Sequence, residues 1–293
     1  MKGGKKMDED VKDRKALKLF LVLALGTSAI LEAVYITLYF VTGNKFSVIM
    51  LGLMWTPGIA GIIASFVYYR KKNALGIRLG KIRYILLGIL IPLVYLVASY
   101  GIAWFTLGDP TIGIDGLAQT IGYQVHYGMS PMAFIVVFLT ASIFSSCIIV
   151  LGEELGWRGF MYPVMERVTG RKKALLFSGL IWACWHMPII VAGLYQSETV
   201  LWYGLLMFAV EATVLGAIMA WLRITSNSIV PALFIHASHN VFDQMVFQPM
   251  STKEYIPYYA GEQGFLTILF IAAIAGVVMY FWKHSKNKVK ETT

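Results

Sequence analysis

The stretch Met132–Arg158, MAFIVVFLTASIFSSCIIVLGEELGWR, joins a long apolar run to a charged end. Its first part, Met132–Leu151, contains no charged side chain, and Glu153, Glu154 and Arg158 follow at once. A helix of about 20 residues rises about 1.5 Å per residue and so crosses a hydrocarbon core of roughly 30 Å. The stretch therefore predicts a membrane-spanning helix that ends in acidic and basic side chains.

Seven further segments have the same apolar character and a length that suits a membrane crossing. They are Leu19–Val41, Phe46–Tyr69, Tyr84–Phe105, Ala174–Tyr195, Val200–Leu222, Ile229–Phe247 and Phe265–Trp282. Hydrophobic residues make up 58% of the 293 residues and charged residues only 14%, which is too little polar surface to cover a soluble globule. Together these features predict an all-α, multi-pass integral membrane protein of about eight transmembrane helices.

The basic residues are concentrated in alternate connections between these segments. All but two of the 25 lysines and arginines fall in Lys2–Lys18, Arg70–Arg83, Arg158–Lys173, Arg223 and Lys283–Lys290. Because cytoplasmic loops carry the excess of lysine and arginine, this pattern predicts that both termini are cytoplasmic, in the plasma membrane if the source is a prokaryote. We expect a cytoplasmic tail over residues 1–18, a single membrane domain over 19–282 and a second cytoplasmic tail over 283–293.

The net charge of +9 reflects this topology and favours membrane lipid as a partner. The basic residues are dispersed among short loops, and no nucleic-acid-binding motif accompanies them. Nucleic acid is therefore not an expected partner.

Charged side chains follow the fourth predicted span directly. A charge at membrane depth costs at least about 2.5 to 3.5 kcal/mol on insertion scales, so each one is a candidate for function. Glu154 and Arg158 are four residues apart and are expected to pair on one helix face. Glu153 is rotated from Glu154 by about 100° and does not share that partner equally, so we expect one carboxylate to be structural and the other to stay free for chemistry. Solvated carboxylates at the end of the helix are the alternative interpretation.

Histidines in two later spans add further polar groups. His186 lies within the fifth span, where a packing role is the alternative. In the seventh span, His236 and Asn240 are four residues apart and are expected to direct two hydrogen-bond donors to one point. His239 and Asp243 have the same spacing and are expected to form a supporting pair.

The predicted orientations of the spans bring four of these residues to a similar depth. They are Glu153, His186, His236 and Asn240. An ionised carboxylate at that depth needs water, so we expect a central cavity that is open to the cytoplasmic side.

Three motifs occur in order along the chain: Glu153-Glu154-x-x-x-Arg158, Trp182-x-x-x-His186 and His236-x-x-x-Asn240. In these motifs the chain resembles the CAAX-protease and bacteriocin-processing family of glutamate intramembrane proteases, which includes the CAAX prenyl endopeptidases. The one departure is Trp182, which stands where the family pattern has Phe. The resemblance extends over about residues 130 to 245.

The resemblance implies a role for each matching residue in the hydrolysis of a peptide bond. Glu153 and His186 would activate a water molecule, and His236 and Asn240 would stabilise the oxyanion. Glu154 and Arg158 would orient the site or the substrate backbone. No metal or covalent nucleophile is required, which suits amide hydrolysis, since it needs a base, an acid and donors for the developing charge.

The resemblance also implies a peptide or prenylated-protein substrate. A prenylated CAAX C-terminus, a bacteriocin precursor and a signalling-peptide precursor are all compatible with it. The sequence sets neither the cleavage position nor the oligomeric state.

Other functions stay open from the residues alone. Zinc bound by Glu153, His186, His236 and His239 is one alternative, although the zinc-protease pattern H-E-x-x-H is absent. A non-catalytic immunity or scaffold protein is another. A transporter with Glu32 and Glu211 in a proton relay is disfavoured, because no matching pair of broken helices is evident. The glycine-rich connection Thr106–Pro131 suits either a lid or a re-entrant segment.

Overall fold

A computed structural model describes the backbone of residues 2–70, 75–124 and 128–291, and the side chains of residues 8–283 with the same two gaps. Within these ranges the chain is helical and has no β-strand, which confirms the predicted all-α class. The α-helices of the described ranges are α1 Lys2–Thr42, α2 Ser47–Tyr68, α3 Ile82–Leu107, α4 Gly113–Thr120, α5 Pro131–Glu154, α6 Tyr162–Thr169, α7 Arg171–Val191, α8 Leu201–Ser226, α9 Val230–Phe242, α10 Gln248–Met250 and α11 Phe265–Glu291.

Seven helical stretches in the described residues are long and apolar enough to cross a membrane. They are Asp8–Thr42, Ser47–Tyr68, Ile82–Leu107, Pro131–Thr169, Arg171–Val191, Leu201–Ser226 and Phe265–Lys283. Each overlaps one of the spans predicted from the sequence. The protein is therefore a multi-pass membrane protein.

The remaining predicted span, Ile229–Phe247, is helical but polar. α9 continues through a π-helical turn, Asp243–Phe247, into α10. The histidines, asparagine and aspartate between residues 236 and 243 lower its apolar character, which is why it does not count among the seven. Most of α9 is buried against α3, α5 and α8. α9 thus lies mostly inside the bundle, and an eighth membrane crossing stays a prediction.

Contacts between connections define two faces of the bundle. On one face, Arg167 at the end of α6 donates to Asp13 near the start of α1, and Arg171 lies 3.8 Å from the ring centre of Trp282 near the end of α11. We call this the terminal face, because both ends of the chain reach it. On the opposite face, the connections that follow α3, α7 and α10 contact one another. The predicted alternation of the connections is therefore present, and the cytoplasmic placement of the terminal face stays a prediction.

The described part of the predicted N-terminal tail, residues 1–18, is helical. α1 begins at Lys2 and continues without a break to Thr42. Asp13 is buried, and its carboxylate accepts hydrogen bonds from Arg167 at 2.6 Å and 3.0 Å and from the hydroxyl of Tyr69. These contacts anchor the start of α1 to the bundle. In the predicted C-terminal tail, residues 283–293, the side chains beyond Lys283 and the last two residues lie outside the described part.

The long connection Thr106–Pro131 contains α4, which packs against α5 and α10. Near the start of this connection, the Asp109 carboxylate accepts two hydrogen bonds from Thr252, one from the hydroxyl at 2.6 Å and one from the backbone N–H at 3.0 Å. These bonds tie the connection to the segment that follows α10. Residues 125–127 lie outside the described part.

α2 and α5 pack at backbone contact beside the acidic motif. A Cβ atom on Gly58 would lie 2.6 Å from the carbonyl oxygen of Gly152, so only glycine fits at this crossing. Glu153 is the next residue of α5. The close packing therefore fixes the position of the Glu153 backbone.

Candidate active site

Glu153 occupies the last turn of α5 and is 1% exposed. The indole N–H of Trp182, on α7, donates to Oε2 of Glu153 at 2.9 Å. A phenylalanine at this position has no N–H group and could not make this bond. The one departure from the family pattern thus supplies a direct contact with the central carboxylate.

Glu154 joins two helices through one carboxylate oxygen. Its Oε1 accepts a hydrogen bond from Arg158 at 2.9 Å and another from Nδ1 of His236 at 2.9 Å. The pairing of Glu154 with Arg158 agrees with their spacing, whereas the bond to His236 on α9 is new. Because an ionised carboxylate can only accept, Nδ1 of His236 carries a proton and Nε2 is left for another partner.

Arg158 belongs to a π-helical segment, Leu155–Met161, between α5 and α6, and every residue of that segment is buried. Its guanidinium lies 3.9 Å from the ring centre of Trp182, close enough for a cation–π contact. Wider π-helical turns inside α-helices are frequent at functional sites. Here the turn carries the cation that pairs with Glu154.

His186 lies on α7, four residues after Trp182. Its Nδ1 is 2.9 Å from the carbonyl oxygen of Trp182, and the ring is 4.7 Å from that of Trp185 at an interplanar angle of 90°. A carbonyl oxygen only accepts, so Nδ1 of His186 is the protonated nitrogen. Its Nε2 is therefore free to accept a proton.

One cavity of about 370 Å³ brings the four predicted catalytic residues together. Glu153, His186, His236 and Asn240 all line it, although they come from three helices. Trp182 lies beside both histidines, with ring centroids 5.8 Å from His186 and 5.4 Å from His236. The arrangement places a carboxylate, two imidazoles and an amide around one space, while their catalytic roles stay predictions.

The lining of the cavity extends toward the opposite face. It continues to Leu194 and Tyr195, in the connection between α7 and α8, and that connection belongs to the opposite face. Whether the cavity opens to the cytoplasm stays a prediction, because it depends on which face is cytoplasmic.

His239 and Asp243 do not line this cavity. They lie in a second buried group, which we call the second cluster: His239, Asp243 and Glu262, with Glu211 beside them. One ligand atom from each of His239, Asp243 and Glu262 lies within 4.8 Å of the others. The expected proximity of His239 and Asp243 is thus present, but away from the cavity.

The structure separates the four residues that the sequence offered as zinc ligands. Glu153, His186 and His236 line the cavity, whereas His239 belongs to the second cluster. Among the described residues, the group that brings three such ligand atoms together is His239, Asp243 and Glu262, and it contains neither Glu153 nor His186. Glu211 lies 3.9 Å from His239, whereas Glu32 on α1 is buried with an oxygen that makes no hydrogen bond. Sequence reasoning missed Glu262, which lies in a connection, and Tyr195, which it placed at the end of the fifth span without a role.

Comparisons with known proteins agree with the motifs. Residues 129–242 match the family model described as type II CAAX prenyl endopeptidase Rce1-like. This range runs from just before α5 to the end of α9, so it contains the three motifs and every residue that was predicted to be catalytic. The resemblance found in the sequence is confirmed over this range.

A curated relative is the protein named CAAX prenyl protease 2 of Methanococcus maripaludis. It is 32% identical to this chain over 106 residues. The match covers 34% of this chain and 39% of the relative, so the chain spans about two fifths of the length of that protein.

Proposed function

Proceeding from the match of residues 129–242 to the Rce1-like CAAX prenyl endopeptidases, we propose that this protein is an intramembrane endopeptidase. Its substrate would be a membrane-associated peptide. The observation that carries the proposal is the shared cavity, lined by Glu153, His186, His236 and Asn240.

In this proposal Glu153 and His186 activate the attacking water. Nδ1 of His186 donates to the Trp182 carbonyl, so the unprotonated Nε2 accepts a proton from water as the oxygen attacks the peptide carbon. Glu153, held by the Trp182 indole, orients the water and balances the positive charge that develops on His186. When the C–N bond breaks, the same proton passes to the leaving amine.

His236 and Asn240 stabilise the oxyanion of the tetrahedral intermediate. The Glu154 carboxylate fixes the ring of His236 through Nδ1, and Nε2–H of the imidazolium donates to the oxyanion. The two buried carboxylates, Glu153 and Glu154, then balance the charges of Arg158 and protonated His236. This balance matters because an unpaired charge in a buried site is costly.

The walls of the cavity suit a lipid-linked or apolar peptide. They include methionine, leucine and isoleucine side chains and a set of serines. These serines are Ser142, Ser145 and Ser146 of α5. Apolar walls favour an isoprenoid or apolar side chains, and the hydroxyls offer hydrogen bonds to a peptide backbone.

We propose two substrate classes, and the orientation of the protein in the membrane determines which of them can reach the cavity. A prenylated CAAX C-terminus is cytosolic and requires the opposite face to be cytoplasmic. A secreted or bacteriocin-type precursor requires the cytoplasmic terminal face that the basic residues favour. Labelling single cysteines placed at Lys45 and Lys172 in intact cells determines which face is cytoplasmic.

The decisive experiment incubates the purified protein with a prenylated CAAX peptide, its unprenylated counterpart and a bacteriocin-type precursor, and identifies the products by mass spectrometry. We expect cleavage of one class and a rate about 10²- to 10⁴-fold lower for Glu153→Gln, because the variant lacks the carboxylate that acts on water. Glu254→Gln, an exposed position, is the matched control and should cut normally. Equal cleavage by Glu153→Gln would contradict the mechanism, and cleavage of none of the peptides would favour an immunity or scaffold role.

A further inference from the structure

The second cluster concentrates acidic groups in the interior of the protein. His239 lies on α9, Asp243 follows in the π-helical turn, and Glu262 comes from the connection before α11. Glu211 adds a further carboxyl group from α8. All four side chains are no more than 3% exposed.

The carboxyl groups of this cluster have no paired counter-charge. Among the described residues, no lysine or arginine forms an ion pair with Asp243, Glu211 or Glu262. The charge of Arg158 acts on Glu211 at longer range, but its hydrogen bond is with Glu154. Burying carboxylates without a counter-charge is costly. A bound cation is one way to remove that cost.

The distances around His239 leave room for an ion. Nε2 of His239 lies 3.8 Å from Oε1 of Glu262 and 3.9 Å from Oε1 of Glu211. These separations are too long for hydrogen bonds. Two ligands that each bind one metal ion at about 2.0 to 2.2 Å can stand up to about 4.4 Å apart.

The unpartnered oxygen of Glu211 is independent support for an ion. Its Oε1 is buried and has no hydrogen-bond partner, and it lies beside the His239 ring. Buried polar atoms normally have a partner. An ion between His239 and the carboxylates supplies one.

Neutral hydrogen-bond partners hold each of the three closest side chains in place. Nδ1–H of His239 donates to the Tyr95 hydroxyl at 2.5 Å, which leaves Nε2 unprotonated for the ion, and the Tyr100 hydroxyl donates to Asp243 at 2.8 Å. The Tyr195 hydroxyl donates to Oε2 of Glu262 at 2.6 Å, and the Gln244 amide donates to Oε1 at 2.9 Å. Side chains that bind metals are typically oriented by such outer hydrogen bonds.

We infer that His239, Asp243 and Glu262 bind one divalent transition-metal ion, with Glu211 as a further ligand. A mixed set of one imidazole and several carboxylates suits Zn²⁺ or Mn²⁺. The ion would join α9, α8 and the connection before α11, and through the tyrosines it would also hold α3. Its role is structural: it fixes the helix that carries His236 and Asn240 and takes no part in hydrolysis.

The test measures the metal bound to the full-length protein in detergent. Elemental mass spectrometry gives the number of bound ions, and titration of the chelator-treated protein with Zn²⁺ and with Mn²⁺ gives the affinity. We expect about one ion per chain. Asp243→Asn and Glu262→Gln should each weaken binding by at least about 10- to 100-fold. Glu153→Gln, in the cavity, and Glu198→Gln, an exposed neighbour, should bind as the unchanged protein does.

The inference is wrong if the unchanged protein binds neither ion, since the carboxyl groups would then be neutralised by protons. Binding that survives in both Asp243→Asn and Glu262→Gln also contradicts it. If these variants do not fold, Tyr95→Phe provides the second measurement, because it keeps all four ligands and should lower the affinity alone. Metal binding without peptidase activity would contradict the proposed function only. Peptidase activity without metal binding would contradict this inference only.

Discussion

At the scale of single residues, Trp182 contacts three residues of the candidate site, which its place in the motif does not suggest. Its indole N–H holds Glu153, its carbonyl oxygen holds His186, and its ring faces Arg158. The backbone carbonyl would be present with any residue, whereas the N–H group is specific to tryptophan. The Trp182 side chain therefore positions the Glu153 carboxylate, which orients the water in the proposed mechanism.

Replacing Trp182 with Phe tests this contact, because it keeps an aromatic ring and removes only the N–H group. A hydrogen bond to a charged group is worth about 1.5 to 3 kcal/mol, so we expect the rate of peptide cleavage to fall about 10- to 100-fold. The pH profile of kcat should also shift, which a purely structural loss would not cause. Trp202→Phe, at a site that is 70% exposed, is the control. An unchanged rate and pH profile would remove Trp182 from the proposed mechanism.

At the scale of helices, the crossing of α2 and α5 depends on two glycines. The Gly58→Ala change would bring its Cβ atom to 2.6 Å from the Gly152 carbonyl oxygen and force the helices apart. Overpacking of this kind costs about 1 to 3 kcal/mol of unfolding free energy, so the thermal midpoint in detergent should fall. Gly26→Ala, where no atom lies within 4 Å of the new carbon, should leave the midpoint unchanged. Equal midpoints for the two variants would show that the crossing is not tightly packed.

The helices were predictable because most of them are uninterrupted apolar runs flanked by charge. The π-helical turns at Leu155–Met161 and Asp243–Phe247 were not predictable. An extra residue in a helical turn changes neither the composition nor the spacing of the apolar residues in a recognisable way. The Glu154–His236 bond was also missed, since its partners are 82 residues apart and only packing brings them together. Spacing along one helix predicted that Glu154 pairs with Arg158 and that His236 and Asn240 share a face. It cannot predict partners on other helices.

At the scale of the whole molecule, Asp109 links two distant connections on the opposite face. Burial would raise the pKa of Asp109, but hydrogen bonds from the Thr252 side chain and from the backbone N–H groups of Thr111, Thr252 and Lys253 outweigh it and lower the pKa below its ordinary value of 3.8. A carboxyl group with a lowered pKa stabilises the folded protein above its unfolded pKa. That contribution is lost as the pH falls from 3.8 through the lower, folded value.

The Asp109→Asn variant should therefore be less stable than the unchanged protein at neutral pH, by about 1 to 3 kcal/mol. The difference should shrink as the pH falls below 4, when the carboxylate of the unchanged protein also becomes protonated. Thermal unfolding in detergent across this pH range measures both effects. Asp115→Asn, an exposed neighbour in the same connection, should show neither. A difference that does not change with pH would contradict the role of the Asp109 charge.

The polar character of α9 has a consequence for how the protein enters its membrane. A segment with two histidines, an asparagine and a following aspartate is too polar to partition into lipid alone, yet α3, α5 and α8 surround it in the folded bundle. Only a short turn separates it from α8, so these two helices can be inserted as a hairpin during synthesis. The helix that carries His236 and Asn240 is thus expected to depend on its apolar neighbours for insertion.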